Sequence, residues 1–251
     1  MLESYEKAAA ERRSLGIPPL PLSPEETAEV CGGLEKPPAG KAGELAALLR
    51  DRVSPGVDPA AEVKAGWLAR VAGGEVRSPA VAPREAVFLL GTMLGGYNVG
   101  PLVEFLEHKD LAATAAEALG RTILVYGAFD AVVRLAGSNS AARTVLESWA
   151  QGIWFLSRPA LPASLTLKVF KVEGEINTDD FSPAKHAATR PDIPLHALAM
   201  GLTRFPGGLE TIARTPANRA AGTPSRFDHK SWVCTISNFS RLKNQLNRSN
   251  W

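Results

Sequence analysis

The sequence predicts a mainly α-helical protein, a stack of antiparallel helix pairs followed by a smaller strand-containing domain. Three observations carry this. Helix-start signals recur at short intervals through the first ~155 residues. Alternation of apolar and polar residues over four or more positions is nearly absent there. At Ser157-Arg-Pro-Ala-Leu-Pro162 a proline-rich linker intervenes, and beyond it Leu165, Leu167 and Val169 alternate with Thr166, Lys168 and Phe170, which is strand periodicity.

Ser23-Pro24-Glu25-Glu26 reads as a capping box, with a hydroxyl cap, proline at the first helical position and glutamate at the third. Asp58-Pro59 opens a second helix that places Val63, Trp67 and Leu68 on one face, with Ala60 and Val71 continuing it. Pro83 starts a third, with Val87, Leu90 and Leu94 on one side and Phe88 nearby; Gly95-Gly96 and Gly100-Pro101 punctuate its end and the next start. Further helices are expected over 111–119, 122–135 and 141–155, with Trp67, Trp149 and Trp154 packing between helices. Past the linker, one short helix is expected over 195–202. From Thr215 onward neither periodicity is sustained, and the segment reads as poorly ordered.

With 251 residues, 45% hydrophobic and 22% charged, the chain is ordinary for a globular protein with a substantial core. The N-terminus lacks a basic leader followed by an apolar run, and the most apolar stretch, Ala86 to Leu94, is too short to span a bilayer. The expectation is a cytoplasmic protein with no membrane partner. Cys31 and Cys234 are the two cysteines, which excludes a disulfide framework and a four-cysteine metal site. The four histidines, His108, His186, His196 and His229, show no i, i+4 pairing and read as surface or loop residues. Charge is uneven: residues 201–251 carry eight Lys/Arg against Glu210 and Asp228, while the preceding 200 residues are net acidic. A basic tail with Phe227, Trp232, Phe239 and Trp251 is a candidate for RNA binding by phosphate neutralisation and stacking; out-of-frame sequence gives the same composition.

The densest polar run is Gly174-Glu-Ile-Asn-Thr-Asp-Asp-Phe-Ser-Pro-Ala184, succeeded by Arg190-Pro-Asp-Ile-Pro-Leu-His-Ala197. Together with Pro37-Pro-Ala-Gly40, Arg52-Val-Ser-Pro-Gly-Val-Asp58, Val63-Lys-Ala-Gly66, Gly91-Thr-Met-Leu-Gly-Gly-Tyr-Asn98 and Arg158-Pro-Ala-Leu161, it resembles the N-terminal portion of the aconitate hydratase B family, bacterial aconitase B. The resemblance implies a HEAT-like helical domain over 1–156, an incomplete α/β swivel domain over 163–213 and a basic tail over 214–251 outside the family pattern. It also implies a lyase that interconverts citrate and isocitrate through cis-aconitate in the tricarboxylic acid cycle. That lyase uses a [4Fe-4S] cluster held by three neighbouring cysteines, a group this chain lacks. The expectation is therefore a truncated or frame-disrupted product, inactive alone and without a cluster of its own. Gly222-Thr-Pro-Ser-Arg226 is only faintly similar to the family's substrate loop.

By the same resemblance Arg190 is the substrate residue, its guanidinium matching a carboxylate edge of a citrate- or isocitrate-type ligand. The alternative is a pair with Asp179, Asp180 or Asp192 that fixes the loop. Asn177, Thr178, Asp179, Asp180 and Ser182 are read as shaping the cleft edge, since these residue types after a strand also build turns and caps. No metal ligand and no catalytic residue is assigned. A helical binding module for protein, RNA or a second copy is the alternative function.

Overall fold

The computed structural model describes residues 2–157 and 174–209. The chain divides into two compact units, Met1–Ala160 and Leu161–Trp251. The strand expected over 165–170, most of the linker, Cys234, the Gly222–Arg226 segment and the basic tail lie outside the described residues.

The first unit is helical throughout. It comprises α1 (Leu2–Ser14), α2 (Pro24–Glu35), α3 (Ala42–Asp51), α4 (Pro59–Ala72), α5 (Pro83–Gly91), α6 (Val99–Glu104), α7 (Ala112–Arg121), α8 (Ala128–Ala136), α9 (Ser140–Ala150) and α10 (Ile153–Leu156), with a 3-10 turn at Phe105–Glu107. The capping box closes as expected. Ser23 Oγ accepts the Glu26 N–H at 3.1 Å, and Glu26 accepts the Ser23 N–H at 2.9 Å. Asp58 accepts the Ala60 N–H at 2.8 Å and so starts α4 beside Pro59. Contacts run locally along the chain, α2 on α3 and α4, α4 on α5, α5 on α7, and α7 and α8 on α9, the pattern of a stack.

One continuous core runs through these helices. Leu34, Leu49, Leu68, Leu90, Leu102 and Leu119 are sealed from solvent, each contributing about 1.5–3 kcal/mol of burial. Trp67 is buried with them, and its indole N–H donates to Glu35 Oε1 at 3.1 Å, tying α4 to α2. Trp149 is half-buried, stacks on Phe129 and donates to the Leu119 carbonyl at 3.1 Å. Gly91 sits where α5 meets α7 so closely that a Cβ there would lie 2.6 Å from Ala118 Cβ.

Several expectations need correction. Leu94 lies beyond the end of α5, in a left-handed conformation (φ 67°), with its side chain exposed and not on the core side. The helix expected from Thr122 begins only at Ala128. Thr122 leaves the helical conformation, Gly95 and Leu124 form an isolated parallel bridge, and Tyr126 takes φ 40°. The helix expected over 141–155 is broken at Gly152, whose φ of 61° separates α9 from α10. On α4, Val63 is only half-buried, while Lys64 is 3% exposed. The helix expected over 195–202 is α12 (Ile193–Ala197), in the second unit.

Lys64 is the costly residue of this core. Its Nζ donates to the Arg50 carbonyl at 3.3 Å, and burial lowers its pKa to about 8, with Asp51 opposing the shift weakly. Below pH ~8 the buried ammonium imposes its full penalty. The penalty is relieved as pH rises toward the unfolded value of 10.5, because the unfolded chain then binds more protons. Burial acts oppositely on Cys31, pushing its thiol up to about 12, so above pH ~9 that group costs stability. Lys64→Met is expected to stabilise the unit by about 1–2 kcal/mol at pH 7, less than the full shift because the carbonyl loses its donor. The gain should shrink between pH 8 and 10, and urea titrations of both proteins across that range check it. A gain independent of pH would reject the assignment to the Lys64 charge. Gly91→Ala, in contrast, is expected to cost about 1–3 kcal/mol by overpacking α5 against α7, read in the same titrations.

Candidate functional site

The described part of the second unit, residues 174–209, contains α11 (Thr178–Phe181), a 3-10 segment (Ala184–Thr189) kinked at His186, and α12 (Ile193–Ala197). Pro183 and Ala199 are its buried apolar side chains among the described residues, too few for a core, so polar contacts organise it.

Asp180 is the centre of those contacts. Asn177 caps α11 by accepting the N–H groups of Asp179 (2.8 Å) and Asp180 (3.2 Å), and Asp180 Oδ2 accepts the Asn177 N–H at 2.9 Å, completing a reciprocal box. Asp180 is buried, and Arg204 reaches it with Nη2 2.8 Å from Oδ2 and Nε 2.8 Å from Oδ1. The same guanidinium donates to the Glu175 carbonyl. The Arg204 hydrogen bond, followed by that of the Asn177 N–H, holds the Asp180 carboxyl below its usual range, and Asp180 raises Arg204 in return.

Arg190 is exposed and donates through Nη2 to the Ser182 carbonyl at 3.2 Å. The guanidinium on Asp180 is thus that of Arg204, not of Arg190. Thr178 and Asp179 are exposed on α11, and Asp192 spends a carboxylate oxygen on the Leu195 N–H at 3.1 Å, capping α12.

Two more residues join the site that sequence reasoning missed, His196 and Thr189. His196, read as a surface or loop residue, is 7% exposed and lies between two hydroxyls. Ser182 Oγ is 2.8 Å from Nε2, and Thr189 Oγ1 is 2.8 Å from Nδ1. Thr189 already donates its proton to the His186 carbonyl at 2.8 Å, so it can only accept from His196. Nδ1 therefore donates to Thr189, and Nε2 lies within hydrogen-bond distance of the Ser182 hydroxyl, which can donate to it or accept from it. The signal available in the sequence was slight: a histidine in the first turn of α12, the helix capped by Asp192 with Pro194 near its start.

The family model of the Aconitate B N-terminal domain matches residues 4–155. The chain belongs to the aconitase B family. The family model of the Aconitate hydratase 2 N-terminus matches residues 167–223, a stretch that includes the whole polar site. Aconitate hydratase B of Synechocystis is 54% identical over 215 residues, 85% of this chain and 25% of the relative. The Pseudomonas aeruginosa enzyme of that name is 49% identical over 235 residues (90% and 27%), and that of Escherichia coli 52% over 201 (80% and 23%). The chain thus spans about a quarter of the length of the curated relatives it matches.

Among the described residues no group of three or more His, Cys, Asp or Glu is placed to hold a metal ion, and no helix is long and apolar enough to cross a membrane. The [4Fe-4S] cluster implied by the aconitase B family does not fit this chain. The family holds it on three thiolates, whereas this sequence has two cysteines and burial keeps the Cys31 thiol protonated.

The Asp180–Arg204 pair is expected to behave as one unit. Asp180→Asn and Arg204→Met should each speed backbone amide exchange across 174–209, and the double variant should be no faster than the quicker single. The contribution of the pair is present above the ordinary carboxylate pKa and is lost as acid drives Asp180 through its lowered one. Unchanged exchange in Asp180→Asn would reject this role.

Proposed function

We propose that this chain forms the helical N-terminal domain and the opening of the swivel domain of an aconitate hydratase B, an enzyme interconverting citrate and isocitrate through cis-aconitate. The observation that carries the reading is the pair of adjoining family matches, 4–155 and 167–223, in the order of the relatives' N-terminal quarter. Within it, Arg190 supplies a planar pair of donors to one carboxylate of a tricarboxylate. It is exposed, and it lies directly after a turn fixed by hydrogen bonds.

Asn177, Asp180 and Ser182 act on the ligand indirectly, by shaping the edge on which Arg190 stands, and Thr178 and Asp179 line that edge. One exposed guanidinium gives little affinity unaided. Tight binding and chemistry need the opposing walls of the cleft and the cluster, and the donor set of this chain cannot hold the cluster. The enzyme's setting in the cytoplasm and its place in the tricarboxylic acid cycle belong to the same reading.

The purified chain is expected to give no change in cis-aconitate absorbance from citrate or isocitrate, including after incubation with iron and sulfide. Turnover that survives repurification would overturn the proposal that catalysis resides outside this chain.

A further inference from the structure

The buried imidazole of His196 has a job that packing alone does not require. It uses both ring nitrogens, and its partners sit on different pieces of chain: Ser182 directly after α11, and Thr189 at the end of the 3-10 segment. Those two residues are the two ends of the Arg190 tether. The Arg190 guanidinium rests on the carbonyl of Ser182 itself, and Arg190 is the residue after Thr189. The turn carrying Arg190 has its own backbone support, from the Arg190 N–H to the Ala187 carbonyl (3.1 Å) and from the Asp192 N–H to the Thr189 carbonyl (3.0 Å). These bonds leave open the placement of that turn relative to Ser182, and the one ring spans it.

We infer that His196 is a positioning residue for Arg190, bridging the Ser182 and Thr189 hydroxyls so that the guanidinium is presented to a carboxylate ligand in one arrangement. This deepens the proposed role of Arg190 and rests on it. The ring donates at Nδ1 and meets a hydroxyl at Nε2, a pair of hydrogen bonds that a glutamine amide can make and an alanine cannot. A clamp held in its competent arrangement binds more tightly in proportion to the population so held.

Side-chain NMR of the whole chain tests this, with Arg190→Lys assigning the Arg190 Nη–H signals. Without ligand, His196→Ala is expected to speed Nη–H exchange at Arg190 at least about fivefold, the loss of roughly one net hydrogen bond. His196→Gln should restore slow exchange, a rescue that a purely volumetric role would not give. Should His196→Ala fail to fold, Thr189→Val removes the Nδ1 acceptor, along with the donor to the His186 carbonyl, and is expected to give the same acceleration. Wild-type exchange at Arg190 in a folded His196→Ala or Thr189→Val protein overturns the inference. A second arm adds tricarballylate, an unreactive tricarboxylate, and tracks the same signals. A shift weakened in His196→Ala and recovered in His196→Gln supports the inference. An unmoved wild-type signal defeats the carboxylate role of Arg190, while the ligand-free exchange still decides whether His196 positions it.

Discussion

Asp180 satisfies two demands at once, and residues 174–209 are organised by that. With one carboxylate it closes the capping box of a four-residue helix and accepts from Arg204 Nη2, 24 positions along the chain. A helix that short has no stability of its own, since nucleation costs more than its few hydrogen bonds return. No apolar core compensates among the described residues of this unit, where Pro183 and Ala199 are the buried apolar side chains. The fold here is set by charge-assisted hydrogen bonds, which are directional where hydrophobic burial is not. Directionality holds α11 in place, and Ser182 follows it directly.

The helical unit solves the opposite problem with opposite means. Its core is contiguous and apolar, and its polar contacts sit at helix ends or tie one helix to the next, as Trp67 does to Glu35. Lys64 breaks that rule, since a lysine buried beside Cys31 and Asp51 costs stability that a neutral side chain would not. Leu94 and Tyr126 break another, holding positive φ with exposed apolar side chains flanking the Gly95–Leu124 bridge. These exceptions lie where the chain leaves regular helix or where a long side chain threads between helices.

The fold class was readable because its signals are local. Ser23-Pro-Glu-Glu26 and Asp58-Pro59 announce helix starts through chemistry contained in four residues, and both caps form. Helix ends were harder. Leu94 continues the periodicity of α5 in sequence, yet the helix stops at Gly91, and nothing within the segment shows that Gly95 must meet Leu124, 29 positions later. α1 was hard to place for a related reason, since little beyond Tyr5 and Ala9 is buried on it and its apolar stripe is faint. The site shows the same division. Asn177 with Asp180 is a box visible at three-residue spacing, whereas the partnership of Asp180 with Arg204, and that of His196 with both Ser182 and Thr189, crosses turns of irregular length. Periodicity carries no information about which irregular segments close on each other.

A guanidinium is useful to a carboxylate only if its donors are neither spent nor adrift. Five N–H groups radiate from Arg190, and the one bond described for them, to the Ser182 carbonyl, uses one. Arg204 shows the other extreme, with Nη2 shared between Asp180 and the Glu175 carbonyl and Nε against the same carboxylate. The two arginines lie 14 residues apart in one small unit and stand differently: Arg204 is engaged with the Asp180 carboxylate and the Glu175 carbonyl, while Arg190 is exposed, as its proposed role requires. In the sequence they are two identical side chains in loops. Their difference lies in burial and in the partner carboxylate, since Asp180 has already been claimed by its own helix cap in a position that only Arg204 completes. That prior claim keeps the Asp180 carboxylate from the guanidinium of Arg190.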